Sequence, residues 1–195
     1  IYTTGNTLSL HDALPILLGA IMGYPRRGDD SYHRVLAPTK AKIAVVPRYR
    51  LQKQRFNKNM LKVKGETAKL IRLDTPPAKI TRNQVPFEFL RQPRYTLYLW
   101  HSDPERFARI TDQLAAHRSV YTPSLGLSEL LAQFEYRGRF DVAQIEDDGY
   151  VNSVVNADTC SVEFERGKRY NRENVSLVMD DDRVVQSFGD VIYAE

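Results

Sequence analysis

The stretch Tyr95-Thr96-Leu97-Tyr98-Leu99-Trp100, followed at once by Asp103-Pro104-Glu105, decides the fold class. The first six residues are aromatic, β-branched or leucine, the composition of a strand, and the near absence of polar residues predicts a central one. Asp103 is a good helix cap and Pro104 suits the first helical position, where no N–H is needed. Phe107, Ile110 and Leu114 then repeat at helical spacing, so a helix with one apolar face should run to about His117.

Other elements follow outward from this strand–helix unit. Leu17–Gly23 reads as the end of a buried helix, and Asp30–Leu36 as a short helix capped by Asp29 or Asp30. Ala41–Val46, Thr67–Leu73, Val85–Leu90 and Leu131–Phe140 read as strands, with Pro76-Pro77 as a turn. The tail is β-rich, with strands expected at Tyr150–Val155, Thr159–Phe164, Val175–Met179 and Arg183–Tyr193. This order suggests an α+β fold of the ferredoxin-like βαββαβ type, with one strand expected upstream. The same fold underlies the RNA recognition motif, although the usual aromatic signatures of that motif are absent.

The 195 residues suit one medium domain with a small appendage, and a 42% hydrophobic content is enough for a core. A single cysteine, Cys160, excludes an intramolecular disulfide and fits a reducing cytoplasm. Alternating with apolar residues, it is expected to fill core space. No Cys/His cluster has zinc spacing, and no cofactor or metal is expected. Asp180-Asp181-Asp182 and Glu146-Asp147-Asp148-Gly149 read as solvated turns rather than ligand sets.

The N-terminus has its own explanation. Leu14–Met22 is apolar, but no Lys or Arg precedes it and the run is too short to span a bilayer. One reading frame of a widely used DNA-sequencing adapter encodes Asn6–Ile16, NTLSLHDALPI. Residues 1–16 are therefore expected to be adapter-derived, with natural sequence starting near Leu17. A native first strand would then be missing.

Charge is unevenly spread. Leu17–Phe140 carries 23 Lys/Arg against 10 Asp/Glu, while Asp141–Glu195 carries 5 against 13. Within Lys40–Arg82 the balance is 13 against 2, an excess that attracts a polyanion. Arg48–Lys58 has too few apolar residues for a core element and predicts a projecting hairpin or loop. Arg48, Arg50, Lys53, Arg55, Lys58, Lys62 and Lys64 are candidate phosphate contacts. Tyr49 and Phe56 are candidates for stacking on unpaired bases.

Several ordered strings resemble the fifth family of CRISPR-associated proteins, in a type I-B flavour. Leu17–Tyr24 (LLGAIMGY) resembles its first-helix segment. Gln84–Leu90 (QVPFEFL) and Tyr98–His101 (YLWH) resemble its middle strands. Tyr121–Glu129 (YTPSLGLSE) resembles its turn motif, and Val175–Tyr193 its ending. The matches cover nearly all of Leu17–Glu195. The resemblance implies a ferredoxin-like domain over residues 17–140, of the type shared with the RNA recognition motif and the RAMP superfamily. It further implies a thumb at about 48–65 and a β-rich part over 141–195.

In function, the resemblance implies a non-catalytic subunit of a Cascade surveillance complex in antiviral defence, capping the 5′ handle of the CRISPR RNA. Its partners would be that handle, the backbone subunit, the large subunit and target DNA within the complex, with no membrane. The turn Pro123, Ser124, Leu125 and Gly126 would lie near the handle. An alternative is a metal-independent endoribonuclease that processes precursor RNA, as some relatives do, with His, Lys or Tyr moving protons. His33, His101 and His117 are the histidines outside the adapter string, and none stands in the Lys-His pair of those nucleases. Packing or capping is expected for His101, a helix-end position for His117, and an exposed place on a short helix for His33.

Overall fold

The computed structural model describes residues 10–61, 82–125, 130–143, 149–180 and 184–194. The elements in chain order are α1 (Leu10–Met22), α2 (Tyr32–Val35), β1 (Ala41–Pro47), β2 (Gln52–Leu61), β3 (Arg82–Arg91) and β4 (Tyr95–His101). They are followed by α3 (Pro104–Ala115), β5 (Val155–Asn156), β6 (Tyr170–Met179) and β7 (Val185–Ala194). The chain is α+β with small antiparallel sheets, in the orders β1-β4, β2-β3 and β5-β7-β6. Its described residues divide into two compact units, one within Leu51–Pro93 and a larger one that holds Leu10–Arg50 and those from Arg94 onward.

The larger unit is built on β1 and β4, whose register pairs Ala41 with His101, Ile43 with Leu99 and Val45 with Leu97. Directly opposed residues share a face. This face is apolar and meets the helices. Leu17, Ile21, Met22 and Ile110 pack with Leu97, Leu99 and Leu114, and Leu18, Tyr32, Val35 and Leu36 pack with Ala41 and Ile43. Ile110 is 2% exposed; burying such a side chain contributes about 1.5–3 kcal/mol.

Helix α3 starts as its sequence dictates. The Asp103 carboxylate accepts from the N–H groups of Glu105 (3.0 Å) and Arg106 (3.1 Å), and Pro104 fills the first turn. These bonds, that from Arg106 foremost, hold the Asp103 carboxyl below its ordinary range, helped by the Arg106 charge.

Helix α1 begins at Leu10 and so takes in residues of the adapter-like string, with Pro15 inside it. Leu14 is buried and Ile16 packs beside Leu18. An apolar string extends an amphipathic helix whatever encoded it. Gly23 (φ 73°) ends α1, and the Tyr24 N–H reaches back to the Gly19 carbonyl at 2.9 Å, a Schellman closure. The next carbonyls are also satisfied: Ala20 by the Tyr121 N–H, and Ile21 by the Val120 N–H and the Gln113 amide. Gly19 lets α2 approach, since a Cβ there would lie 2.8 Å from the Cβ of Tyr32.

Several sequence expectations are corrected. The short helix is Tyr32–Val35 with Ser31 at its cap position, not Asp29 or Asp30. Those two aspartates instead pair with Arg34 and Arg106. Leu131–Phe140 forms no strand. A bridge joins Leu131 to Ser124, and beyond it Phe134 stacks on His117 instead of entering a ladder. Of Tyr150–Val155 only Val155 enters a strand, as the first residue of β5. Thr159–Phe164 forms none; Thr159 and Cys160 turn back onto the Asn156 carbonyl, and Cys160 is exposed rather than core. The last two strands form a hairpin, β6–β7, whose Asp180 bonds Val184 and Gln186 at the turn. The expected strand Thr67–Leu73, the turn Pro76-Pro77, Asp181-Asp182 and Glu146–Asp148 lie outside the described residues.

Candidate nucleic-acid interface

The basic stretch contributes to both units. Within Leu51–Pro93, β2 pairs with β3 along its whole length, from Gln52 opposite Arg91 to Leu61 opposite Arg82. Val85–Leu90 is therefore a strand, but its partner is the basic segment and not β4. The register sorts the side chains. Phe56, Lys58 and Met60 share a face with Val85, Phe87 and Phe89, while Lys53 and Arg55 share the other with Glu88 and Leu90.

On the aromatic face Phe56 stacks on Phe89 at 4.6 Å and Phe89 lies 5.8 Å from Phe87. The Lys58 ammonium sits over both Phe89 (5.5 Å) and Phe87 (5.8 Å). Phe56 thus has one ring face occupied and remains 42% exposed. On the other face Lys53 pairs with Glu88 at 3.3 Å. An exposed pair of this kind contributes little to stability. The described hairpin carries Lys53, Arg55, Lys58 and Arg91 against Glu88, so its field is positive. Lys62 and Lys64 lie outside the described residues.

Arg48, Tyr49 and Arg50 belong to the larger unit, just past β1. The Arg48 N–H donates to the Arg94 carbonyl at 2.9 Å, extending the β1–β4 ladder by one step. The Arg94 guanidinium lies 5.8 Å from the Tyr49 ring centre, and Tyr49 is 67% exposed. Arg94 is the group that the sequence reading missed here.

The reading also missed the outer face of the same ladder. Tyr98 and Trp100 were expected in a central, buried strand, yet they are 50% and 47% exposed. Their opposite numbers are Ala44 and Lys42. The signal was available: Tyr95, Leu97, Leu99 and His101 alternate with Thr96, Tyr98 and Trp100, and the second set consists of amphipathic residues. Beside Trp100 an open cleft of about 340 Å³ is lined by Leu99, Phe107, Arg139, Phe140, Asp141 and Val142.

The Pro123–Leu125 turn is anchored from below. Leu125 donates to Leu130, Ala132 to Pro123, and the Leu125 side chain packs with Leu17, Ile21 and Ile110. Gly126 lies outside the described residues.

The three histidines sit in three different settings. His101 is buried; its Nε2 donates to the Val35 carbonyl at 3.0 Å, and its Nδ1 accepts from the Asp103 N–H at 3.0 Å. These bonds fix its tautomer and tie β4 to α2 and α3, the packing and capping role expected. His117 lies just past α3, at φ 52°, with its ring 4.7 Å from that of Phe134. His33 is half-buried rather than exposed, with its ring 3.9 Å from Tyr32. Among the described residues no group of three His, Cys, Asp or Glu side chains gathers as metal ligands. No helix among them is long and apolar enough to cross a membrane.

The geometry defines a class no narrower than an α+β protein with a basic, aromatic hairpin and an open sheet face. No protein-family description matches the chain, and no curated protein does.

Proposed function

We propose that the chain is a non-catalytic RNA-binding and assembly subunit of a type I CRISPR surveillance complex, holding the 5′ handle of the guide RNA in the cytoplasm. The observation that carries this reading is the β2–β3 hairpin, which spends one face on Lys53 and Arg55 and the other on Phe56, Phe87, Phe89 and Lys58. Cations beside aromatic rings are the combination that holds a phosphate backbone and its unstacked bases. The order of elements supports a ferredoxin-like domain. A helix, a strand, an inserted hairpin, an antiparallel partner strand and a second helix match the α-β-β-α middle of that fold. The family resemblance supplies the handle, the backbone and large subunits, target DNA and antiviral defence. The neighbourhood of Pro123–Gly126 to the handle rests on it too.

Metal-independent cleavage of the RNA is the rival. It needs an accessible proton donor and acceptor, and His101 has both ring nitrogens engaged inside the protein. No observation favours it.

The test is a triple charge reversal, Arg50→Glu, Lys53→Glu and Arg55→Glu, measured against a synthetic handle RNA over a salt series. Weaker binding and a shallower salt slope are expected, by about one unit of slope per lost phosphate contact. Unchanged affinity at physiological salt overturns the proposal. Specific cleavage of repeat RNA in EDTA would establish the rival.

A further inference from the structure

The outward face of the β1–β4 ladder in the larger unit is a second, unassigned surface. Its positions along β4 are Arg94, Thr96, Tyr98 and Trp100, and along β1 Lys42, Ala44, Val46 and Arg48. The opposite face is filled by α1, α2 and α3, so these residues are not needed for that core. We propose that this face is a stacking platform for single-stranded RNA, with Tyr98 and Trp100 under successive bases and Lys42, Arg48 and Arg94 on the phosphates. The inference rests on the RNA-binding reading but places contacts outside the hairpin.

Three observations carry it. Tyr98 and Trp100 remain half-exposed side by side on one face of the ladder, a contiguous aromatic patch rather than scattered rings. They are two residues apart on one strand, hence about 7 Å apart on the same face, a spacing that suits bases splayed from an extended strand. Ala44 stands opposite Tyr98, so a small side chain leaves the ring face open. The charge then selects the ligand. The outward positions carry Lys42 at one end and Arg48 with Arg94 at the other, with no carboxylate among them. Lys42 reaches the Pro38 carbonyl at 2.9 Å, from an exposed position. An apolar protein partner would match the rings but bring no anion to the three cations. A nucleic acid meets both. The cleft beside Trp100 adds Arg139 and Phe140, together with Asp141 on its rim. That one carboxylate lies beside the platform and not on the ladder.

Trp100 is the sole tryptophan, so the site reports on itself. Fluorescein-labelled oligouridylate of about eight nucleotides is titrated into the whole chain, following both anisotropy and tryptophan emission. Binding should quench Trp100. Tyr98→Ala, which keeps the reporter, should weaken binding by roughly tenfold, as should Trp100→Ala, while Trp100→Phe should restore most of it. These aromatic variants should leave the salt slope as it was. Replacing Arg48 and Arg94 by Ala should flatten it. Circular dichroism confirms that each variant is folded.

Binding without quenching, and undiminished by Tyr98→Ala, overturns the platform. If that binding is lost on reversing Lys53 and Arg55, the hairpin reading stands alone. No binding at low salt overturns both. Loss of assembly with a protein partner in Tyr98→Ala, with oligouridylate binding intact, also overturns the platform, in favour of a protein contact.

Discussion

The rings of Phe56 and Phe89 lie 4.6 Å apart and within 9° of parallel, so the aromatic residue of the basic segment is stacked within its own hairpin. Phe56 stands opposite Phe87, and Phe89 is its diagonal neighbour. The stack stiffens β2, which would otherwise be a strand of Gln, Lys, Arg and Asn with little to pack. Aromatic pairs of this kind add about 0.5–1.5 kcal/mol beyond burial. Phe89→Ala should therefore speed amide hydrogen exchange across Gln52–Met60 while leaving α3 unchanged. Equal exchange in both chains would mean that the stack does not hold the hairpin.

Ile110 joins α1 to α3 at the centre of the larger unit. Ile110→Ala should cost about 2–5 kcal/mol, and Ile110→Val about 0.5–1.5 kcal/mol. Urea denaturation followed by circular dichroism measures both. Equal midpoints for Ile110→Ala and the parent would show that this cluster is not cooperative with the rest.

Asp103 supplies a pH-dependent part of the stability. Its carboxyl titrates below the ordinary range because the Arg106 and Glu105 N–H groups bind its charged form. A depressed value contributes stability that is complete above the unfolded value, near 4, and is lost as pH falls through the folded one. Asp103→Ala should accordingly be less stable than the parent at neutral pH. The gap should narrow as the pH drops from about 4 downward. A gap independent of pH would assign the effect to something other than the charged cap.

Tyr95 behaves in the opposite sense. Its hydroxyl is buried with no hydrogen-bond partner among the described residues, and burial, then the nearby charge of Glu173, pushes its pKa up to about 12. A tyrosine that ionises more readily unfolded than folded loses stability as pH rises from about 10 to about 12. Tyr95→Phe removes both this alkaline loss and the unsatisfied hydroxyl. It should match or exceed the parent in stability at neutral pH and unfold less readily above pH ~10. A marked loss of stability at neutral pH would reveal a partner for the hydroxyl.

Local chemistry was written in the sequence wherever a residue acts on its own neighbours. Asp103-Pro104 starts α3 because capping and the missing proline N–H involve only the next few residues. Gly23 ends α1 for a similarly local reason. Hydrophobic spacing placed Ile110 in the core and set out β1, β4 and the β6–β7 hairpin. The basic excess and the absence of core-forming residues kept Arg48–Lys58 out of the core, and its part from Gln52 onward pairs with β3.

Pairing was decided only in three dimensions. Val85–Leu90 reads as a strand in any context, but composition does not say which strand its N–H and C=O groups will meet, and here they meet β2. Leu131–Phe140 has strand composition, yet Phe134 finds its cover on His117 and the segment stays irregular. Tyr98 and Trp100 read as buried because apolarity gives no direction. Their exposure follows from the helices filling the face that carries Leu97 and Leu99. Sequence alone determined the basic, aromatic character of this protein and its α+β class. Tertiary structure decided which aromatic rings are already spent on one another and which remain open, because a ring's availability depends on what the rest of the chain has packed against it.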